Sequence, residues 1–320
     1  MLKIILKRIL QLIPVLLITM SITFVITRVL PGNPAVTILG PQATPEAIEK
    51  MEEEMGLNDP LPIQYLNYMK GILTGDLGTS YRYNQPVATL ILDKLPNTLQ
   101  LALASLIIAL VIGIPVGLLS AVKQYSIFDY ISMFLALIGV SIPSFWLGLM
   151  LVLVFSVNLG WLPTMGMGSM AAGFGDVLIH LILPAFCLST GSMANFARIS
   201  RSSMLEVLDQ DYMKAVRAKG IRESVVVMKH GFKNALPPIV TVLGMRISAL
   251  MTGAIMIESI FSWPGIGRLI VDAINNNDYE LIQGSVLFMA VLYVVVNLLV
   301  DIAYLYINPK VSYVSERRAG

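Results

Sequence analysis

The chain has 320 residues, of which 56% are hydrophobic and 13% charged, with a mean hydropathy of +0.76. A soluble domain carries about a quarter charged residues, so this composition excludes an ordinary soluble protein and points to a bilayer. The formal net charge of +2, with no basic tract interleaved with aromatics, excludes a nucleic-acid partner. The single cysteine, Cys187, permits neither an intrachain disulfide nor a cysteine zinc cluster, and its apolar surroundings make it a small buried hydrophobe.

In chain order, Lys3, Lys7 and Arg8 precede an apolar run over 9–26. The run has the length of a spanning helix rather than of a signal-peptide core, and Arg28 and Pro31-Gly32 follow it instead of a small-residue cleavage site. It reads as a retained first span. Five more runs suffice to cross: 98–121, 131–157, 177–196, 236–257 and 283–307. Each needs about 20 apolar residues because its backbone must satisfy its own hydrogen bonds in lipid. The third holds Pro143, which predicts a kink or tilt.

The connections orient these six spans. The N-terminal tail is basic, loop 30–96 is net −4, loop 197–235 is net +4, loop 258–282 is net −3, and the tail carries Lys310, Arg317 and Arg318. Basic segments inside and acidic ones outside place both termini in the cytoplasm. The short loop 122–130, with Lys123 and Asp129, falls inside and adds no bias. The predicted organisation is a tail and first helix over 1–30, an extracytoplasmic helical loop over 31–96, a five-helix core over 97–307 containing the inner loop 197–235, and a cytoplasmic tail over 308–320.

The outer loop reads as folded. Thr44-Pro45-Glu46 supplies an N-cap, a proline at the first helical position and an acid in the first turn. Ile48, Met51 and Met55 share a face, and Gly56 ends the helix. Asn58-Asp59-Pro60 turns the chain into a second helix with Tyr65, Leu66, Met69 and Ile72, interrupted by Gly71, Gly75 and Gly78.

The inner segment around Ala215-Val216-Arg217-Ala218-Lys219-Gly220 stands out from its oily surroundings. Met204, Leu208, Tyr212 and Val216 recur at helical spacing, flanked by Leu205 and Ala215, and Glu206, Asp209, Gln210, Lys214 and Arg217 form the other face. The expectation is one helix to Gly220, a second from about Val225, and entry to the fifth span at Asn234-Ala235-Leu236-Pro237-Pro238. Such a basic amphipathic element suits a lipid surface or a groove in a partner protein; periodicity leaves both readings open.

The run Asp211-Tyr212-Met213-Lys214-Ala215-Val216-Arg217-Ala218-Lys219-Gly220, followed by His230, Asn234 and Pro237, resembles the cytoplasmic loop of type I ABC-importer permeases of the dipeptide, oligopeptide and nickel branch. Leu30-Pro31-Gly32-Asn33-Pro34, Gly75-Asp76-Leu77-Gly78-Thr79-Ser80, Arg201-Ser202-Ser203-Met204-Leu205-Glu206, Trp263-Pro264-Gly265-Ile266-Gly267-Arg268 and Asn297 to Asp301 resemble further segments of that branch, in order along nearly the whole chain. The first permease subunit of dipeptide systems is the most similar. The sequence departs where the superfamily's Glu-Ala-Ala falls on Lys214-Ala215-Val216: the acidic residue is absent there, and Asp211 stands one turn earlier.

The resemblance implies an all-α, multi-pass permease of six helices in a prokaryotic cell membrane. Its partners would be a second homologous permease, two cytoplasmic ATPase subunits and an extracytoplasmic binding protein. ATPase coupling would run through Glu206, Asp209, Asp211, Tyr212, Ala215, Arg217, Ala218, Lys219 and Gly220. The chain has no Gly-x-x-x-x-Gly-Lys-Ser/Thr loop, so ATP and Mg would be held by the partner subunits and this chain would carry no cofactor and no catalytic residue. Di- and oligopeptides are the expected cargo, with nickel or another small solute as the alternative.

Charges inside spans cost about 2.5–3.5 kcal/mol when they face lipid, so Arg246 and Asp301 should face protein or a water-filled path, either as a pair or with Arg246 lining the cavity. Glu258, at the outer end of the fifth span, either pairs with Arg268 or meets the substrate. Asn195 and Asn297 are expected to join helices or, as the alternative, to line the path. Gly244, Ser248, Ala249, Gly253 and Ala254 offer close helix approach, to the partner permease or beside the pore. His180 and His230 fall on opposite sides of the membrane and predict no metal site. A channel or secondary transporter would require a paired inverted repeat and ion-pathway acids in mid-span; the sequence shows no such repeat, and its charges within spans come down to Arg246 and Asp301. A membrane hydrolase would require a histidine or aspartate partner for Ser189 or Ser192, and none stands at catalytic spacing.

Overall fold

The computed structural model describes the backbone of residues 2–29, 32–40 and 42–307, and the side chains of those residues other than 2–9, 11, 12, 301 and 303–307. The order is α1 (Leu2–Val29), α2 (Pro34–Leu39), α3 (Pro45–Glu54), α4 (Leu61–Leu73), the short strands β1 (Thr79–Ser80) and β2 (Gln85–Pro86), α5 (Val87–Val122), α6 (Ile127–Ser141), α7 (Ser144–Leu151), α8 (Phe174–Leu208), α9 (Asp211–Ala218), α10 (Glu223–Val225), α11 (Lys233–Ile260), α12 (Ile266–Asn275) and α13 (Tyr279–Ile307). Wide π-type turns continue α7 over Val152–Asn158 and join α10 to α11 over Val226–Phe232.

Among the described residues, four helical stretches are long and apolar enough to cross a membrane: Val87–Val122, Phe174–Leu208, Glu223–Ile260 and Tyr279–Val300. Ile13–Val29 is a shorter apolar helix. The third expected span is not one kinked helix. It breaks into Ile127–Ser141 and Ser144–Asn158, bent by 106°. Pro143 has no N–H to donate and disfavours helical backbone in the residue before it. Ile142 is accordingly extended (φ −75°, ψ 128°), and α7 restarts after Pro143.

The fifth span also differs from expectation. Its helical path begins at Glu223, and Pro237 and Pro238 lie inside α11 rather than at its entry. The wide turn of Val226–Phe232 stands immediately ahead of these prolines, where the α-helical register is already relaxed.

Two units divide the chain: Met1–Thr98 with Pro264–Leu298, and Leu99–Trp263 with Leu299–Gly320. In the first, Thr44 caps α3 by accepting from the Ala47 N–H, with Pro45 at its first turn. Gly56 (φ +64°) closes the helix: its N–H reaches Glu53 O at 3.0 Å, while the Leu57 N–H reaches Glu52 O at 2.8 Å. Gly71 does not interrupt α4, which runs on to Leu73. The hairpin β1–β2 is tied to the turn before α13. Ser80 Oγ donates to Asp278 Oδ2 at 2.5 Å, and the Arg82 N–H donates to the same oxygen at 3.2 Å. Gln283 Nε2 reaches Thr27 Oγ1 at 2.8 Å. The apolar centre of this unit gathers Val87, Leu90, Ile91, Ile266, Ile270 and Leu281.

In the second unit α8 is the central element, contacting α6, α7 and α11. Backbones approach where side chains vanish: a Cβ at Gly113 would stand 2.6 Å from Met193 O, and one at Gly117 would collide with Ala197 O. This Gly-x-x-x-Gly on α5 therefore seats α8 directly. Gly244 likewise admits Val300, and Gly253 faces Leu188, so these two glycines of α11 are used within the chain. Cys187 is buried as expected, its Sγ 3.0 Å from Ser144 O.

Candidate functional site

The end of α8, the helix α9 and the start of α11 build one surface. Met204 and Val207 are buried at the last turns of α8, in a cluster with Leu118, Met213, Val226 and Ala235. The chain then breaks, contrary to the single stripe expected from Met204 to Val216. Asp209 ends α8, and Gln210 is extended (φ −73°, ψ 148°) before α9 starts with Asp211 in its first turn. The break rotates α9, so its buried residue is Met213 at 0% exposure, with Val216 half-buried and Tyr212 exposed.

Polar contacts fix the helix on this apolar seat. Asn234 Nδ2 donates to Tyr212 Oη at 2.9 Å and to His230 O at 2.8 Å, and Tyr212 Oη donates to His230 O at 3.3 Å. Arg217 Nη2 meets Glu223 Oε1 at 2.9 Å, and Glu223 holds the Arg217 pKa above its ordinary value. Lys214 bridges to Asp211 at 2.9 Å. Gly220, at φ +72°, turns the chain out of the helix. Asp211, Tyr212, Ala215, Arg217, Ala218, Lys219 and Gly220 are all exposed, as are Glu206 and Asp209 at the end of α8. The nine coupling residues named from the resemblance thus share one solvent-facing stretch, anchored by Met213, Asn234 and Glu223.

Asp129, left without a role above, is 1% exposed and gripped by Arg201 of α8 at 2.6 and 2.7 Å. Its Oδ2 also accepts the N–H of Tyr125 at 3.1 Å, holding that residue at φ +62°. Position 72 residues apart hid this pair from local sequence reading.

Arg246 is half-buried on α11. Asp301 lies on α13, but its side chain is outside the described residues, so the expected pair rests on sequence alone. Glu258 is fully buried, and Arg268 lies 3.8 Å from Asp272 within α12. Asn195 Nδ2 turns back to Gly191 O of its own helix at 2.6 Å, and Asn297 does the same to Tyr293 O at 2.9 Å. These amides bond within their own helices, rather than only joining neighbours. His180 Nδ1 lies 2.7 Å from Asp176 O.

Comparison with known proteins gives the family of the chain. Residues 113–313 match the binding-protein-dependent transport system inner membrane component family, and residues 1–102 match the N-terminal region of binding-protein-dependent transport system membrane components. The chain is 48% identical to the dipeptide transport system permease protein DppB of Alkalihalophilus pseudofirmus, over 96% of this chain and 98% of that one. It is 45% identical to the oligopeptide transport system permease protein AppB of Bacillus subtilis, over 97% and 99%. It is 43% identical to the glutathione transport system permease protein GsiC of Pectobacterium atrosepticum, over 98% and 100%. Among solved structures, the inward-facing MetNI methionine ABC transporter aligns with a TM-score of 0.56 at 19% identity, covering 69% of this chain and 97% of that one, which establishes a shared fold. The chain belongs to the family of binding-protein-dependent transport system inner membrane components, as a multi-pass ABC-importer permease.

Proposed function

We propose that this permease forms, with a second homologous permease, the path by which dipeptides and short oligopeptides enter the cell, driven by two separate ATPase subunits and fed by an extracytoplasmic binding protein. The dipeptide and oligopeptide relatives, at 48% and 45% identity over nearly their full length, support the cargo class. ATP and Mg belong to the partner chains, and nickel or another small solute is the alternative cargo. We read α1, α5, the bent α6–α7 pair, α8, the α10–α11 stretch and α13 as six spans; the basic loops and tails would then lie with both termini in the cytoplasm.

The observation that carries the coupling role is the presentation of α9. Its apolar residues Met213 and Val216 are turned into the chain's own core, while its charged and small residues face out. A helix lying on lipid would direct its apolar side to the bilayer. A helix seated this way offers a charged, shallow surface to a protein groove, which favours the ATPase over the headgroups. ATP-driven closure of the nucleotide subunits would move α9, and with it α8 and α11 through Met213 and Asn234.

Co-purification tests the partner assignment. Tagged full-length chain in mild detergent should bring down the ATPase subunits, and the Ala218→Trp variant should not. A wild-type chain that inserts normally but retains no ATPase contradicts the reading.

A further inference from the structure

In the unit formed by residues 1–98 and 264–298, the guanidinium of Arg28 is held between aromatic rings. Its Cζ lies 5.3 Å from the centroid of Phe24 and 5.3 Å from that of Tyr279. Phe24 is in turn fixed by Tyr65 and Tyr68, at 5.3 and 5.7 Å. Stacking of this kind uses the faces of the guanidinium and leaves its edge, with five N–H donors in a planar fork, for an acceptor. Arg28 donates no hydrogen bond to another described residue, and its Nε is buried without a partner. A buried donor left unmet costs free energy.

Arg28 lines a cavity of about 350 Å³, which Asp59, Asp76, Tyr68, Tyr81 and Glu280 help to wall. Two of the three carboxylates are held by contacts. Glu280 accepts from Tyr81 Oη at 3.3 Å and lies against Gly78, where any Cβ would collide with it. Asp76 Oδ1 accepts the Gly78 N–H at 2.9 Å. The Tyr68 hydroxyl is buried without a partner. Burial, and then the Glu280 carboxylate, push its pKa up to about 12, so it stays protonated and able to donate. One stacked guanidinium and a free phenol facing three carboxylates complement a molecule with both charges. The volume sits at the small end of the ~300–1,000 Å³ range of ligand pockets.

We propose that this cavity binds a small zwitterion, a free amino acid or a dipeptide. The ligand's carboxylate would meet the edge of Arg28 and the Tyr68 hydroxyl, and its ammonium the wall of Asp76 and Glu280. The site uses none of the residues proposed for the coupling surface or the translocation path. It needs neither the ATPase nor the binding protein to form.

Calorimetric titration of the purified full-length chain alone tests this, with alanyl-alanine as the probe. Alanyl-alanine should bind, and N-acetyl-alanyl-alanine and alanyl-alanine amide, each lacking one charge, should bind more weakly. Arg28→Gln and Glu280→Gln, each first shown to elute like the wild type, should weaken alanyl-alanine binding by about tenfold or more, as the loss of a charged hydrogen bond does. If Arg28→Gln does not fold, Glu280→Gln and the blocked ligands decide. Absence of binding at millimolar alanyl-alanine overturns the proposal. So does binding that tolerates both substitutions or both blocking groups.

Discussion

Arg201 grips both carboxylate oxygens of Asp129, at 2.6 and 2.7 Å, joining α8 to the start of α6. The Asp129 side chain is 2% exposed and that of Arg201 24%. Removing one partner of a buried pair strands the other, at a cost on the order of 3 kcal/mol, reduced here because Arg201 keeps some water. Asp129→Ala and Arg201→Ala should each lower the thermal stability of the purified chain, and the double variant should lose less than the two losses together. Strictly additive losses in the melting curves would show that the pair is not a coupled contact.

The α5–α8 approach gives a second, sharper contrast. Gly117→Val places a branched side chain against Ala197 O and the Ser200 side chain, and overpacking of this kind costs about 1–3 kcal/mol. Gly191 also lies in a helix, but a Cβ there meets nothing within 4 Å. Gly191→Ala should be neutral or stabilising by about 0.5–1 kcal/mol. Equal tolerance of both substitutions in melts of the detergent-solubilised chain would contradict the packing described.

On the coupling surface, Ala218→Trp and Gly220→Leu should abolish transport while the chain inserts normally. A Cβ at Gly220 meets nothing within 4 Å, so the fold has room for it. The left-handed backbone adds only roughly 1 kcal/mol of local strain. Gly220→Asn, which tolerates that backbone, separates strain from surface contact. Near-normal uptake by Gly220→Leu in membranes with normal chain levels would remove the docking role.

Arg217 and Glu223 are 38% and 56% exposed, and exposed pairs contribute about 0–1 kcal/mol. Glu223→Ala should therefore leave stability nearly unchanged but lower uptake, because Arg217 loses the contact that orients the end of α9. Restoration by the exchanged pair Arg217→Glu with Glu223→Arg would separate internal orientation from direct contact with a partner. A large stability loss in Glu223→Ala would show instead that the bridge supports the fold.

Arg246→Ala should impair transport or assembly. Added Asp301→Ala should partly restore it if the two charges are a pair; uptake assays of the double variant with no restoration assign Arg246 to the cavity.

The long apolar runs made most of the helical scaffold legible, because hydropathy alone dictates where a chain can cross lipid. The Thr44 cap and the Gly56 stop were legible for a similar reason: local chemistry decides them. What escaped was set by contacts distant in sequence. Periodicity put Tyr212 on the buried stripe, but extended backbone at Gln210 rotates α9 and buries Met213 instead. Asp129 read as a neutral loop residue because its partner is 72 positions away. Gly113 and Gly117 carried a visible small-residue spacing whose meaning depends on the α8 backbone opposite them. Pro143 announced a kink, but only the backbone at Ile142 shows that the helix turns by 106°.

The most direct measurement is uptake of a labelled dipeptide, with nickel in parallel, in cells lacking only this chain and in the same cells carrying the wild type or Ala218→Trp. The predicted result is dipeptide uptake lost on deletion, restored by the wild type and not by Ala218→Trp, with nickel uptake unaffected. Dipeptide uptake that survives deletion would contradict the account, and loss of nickel uptake alone would assign the permease to metal cargo.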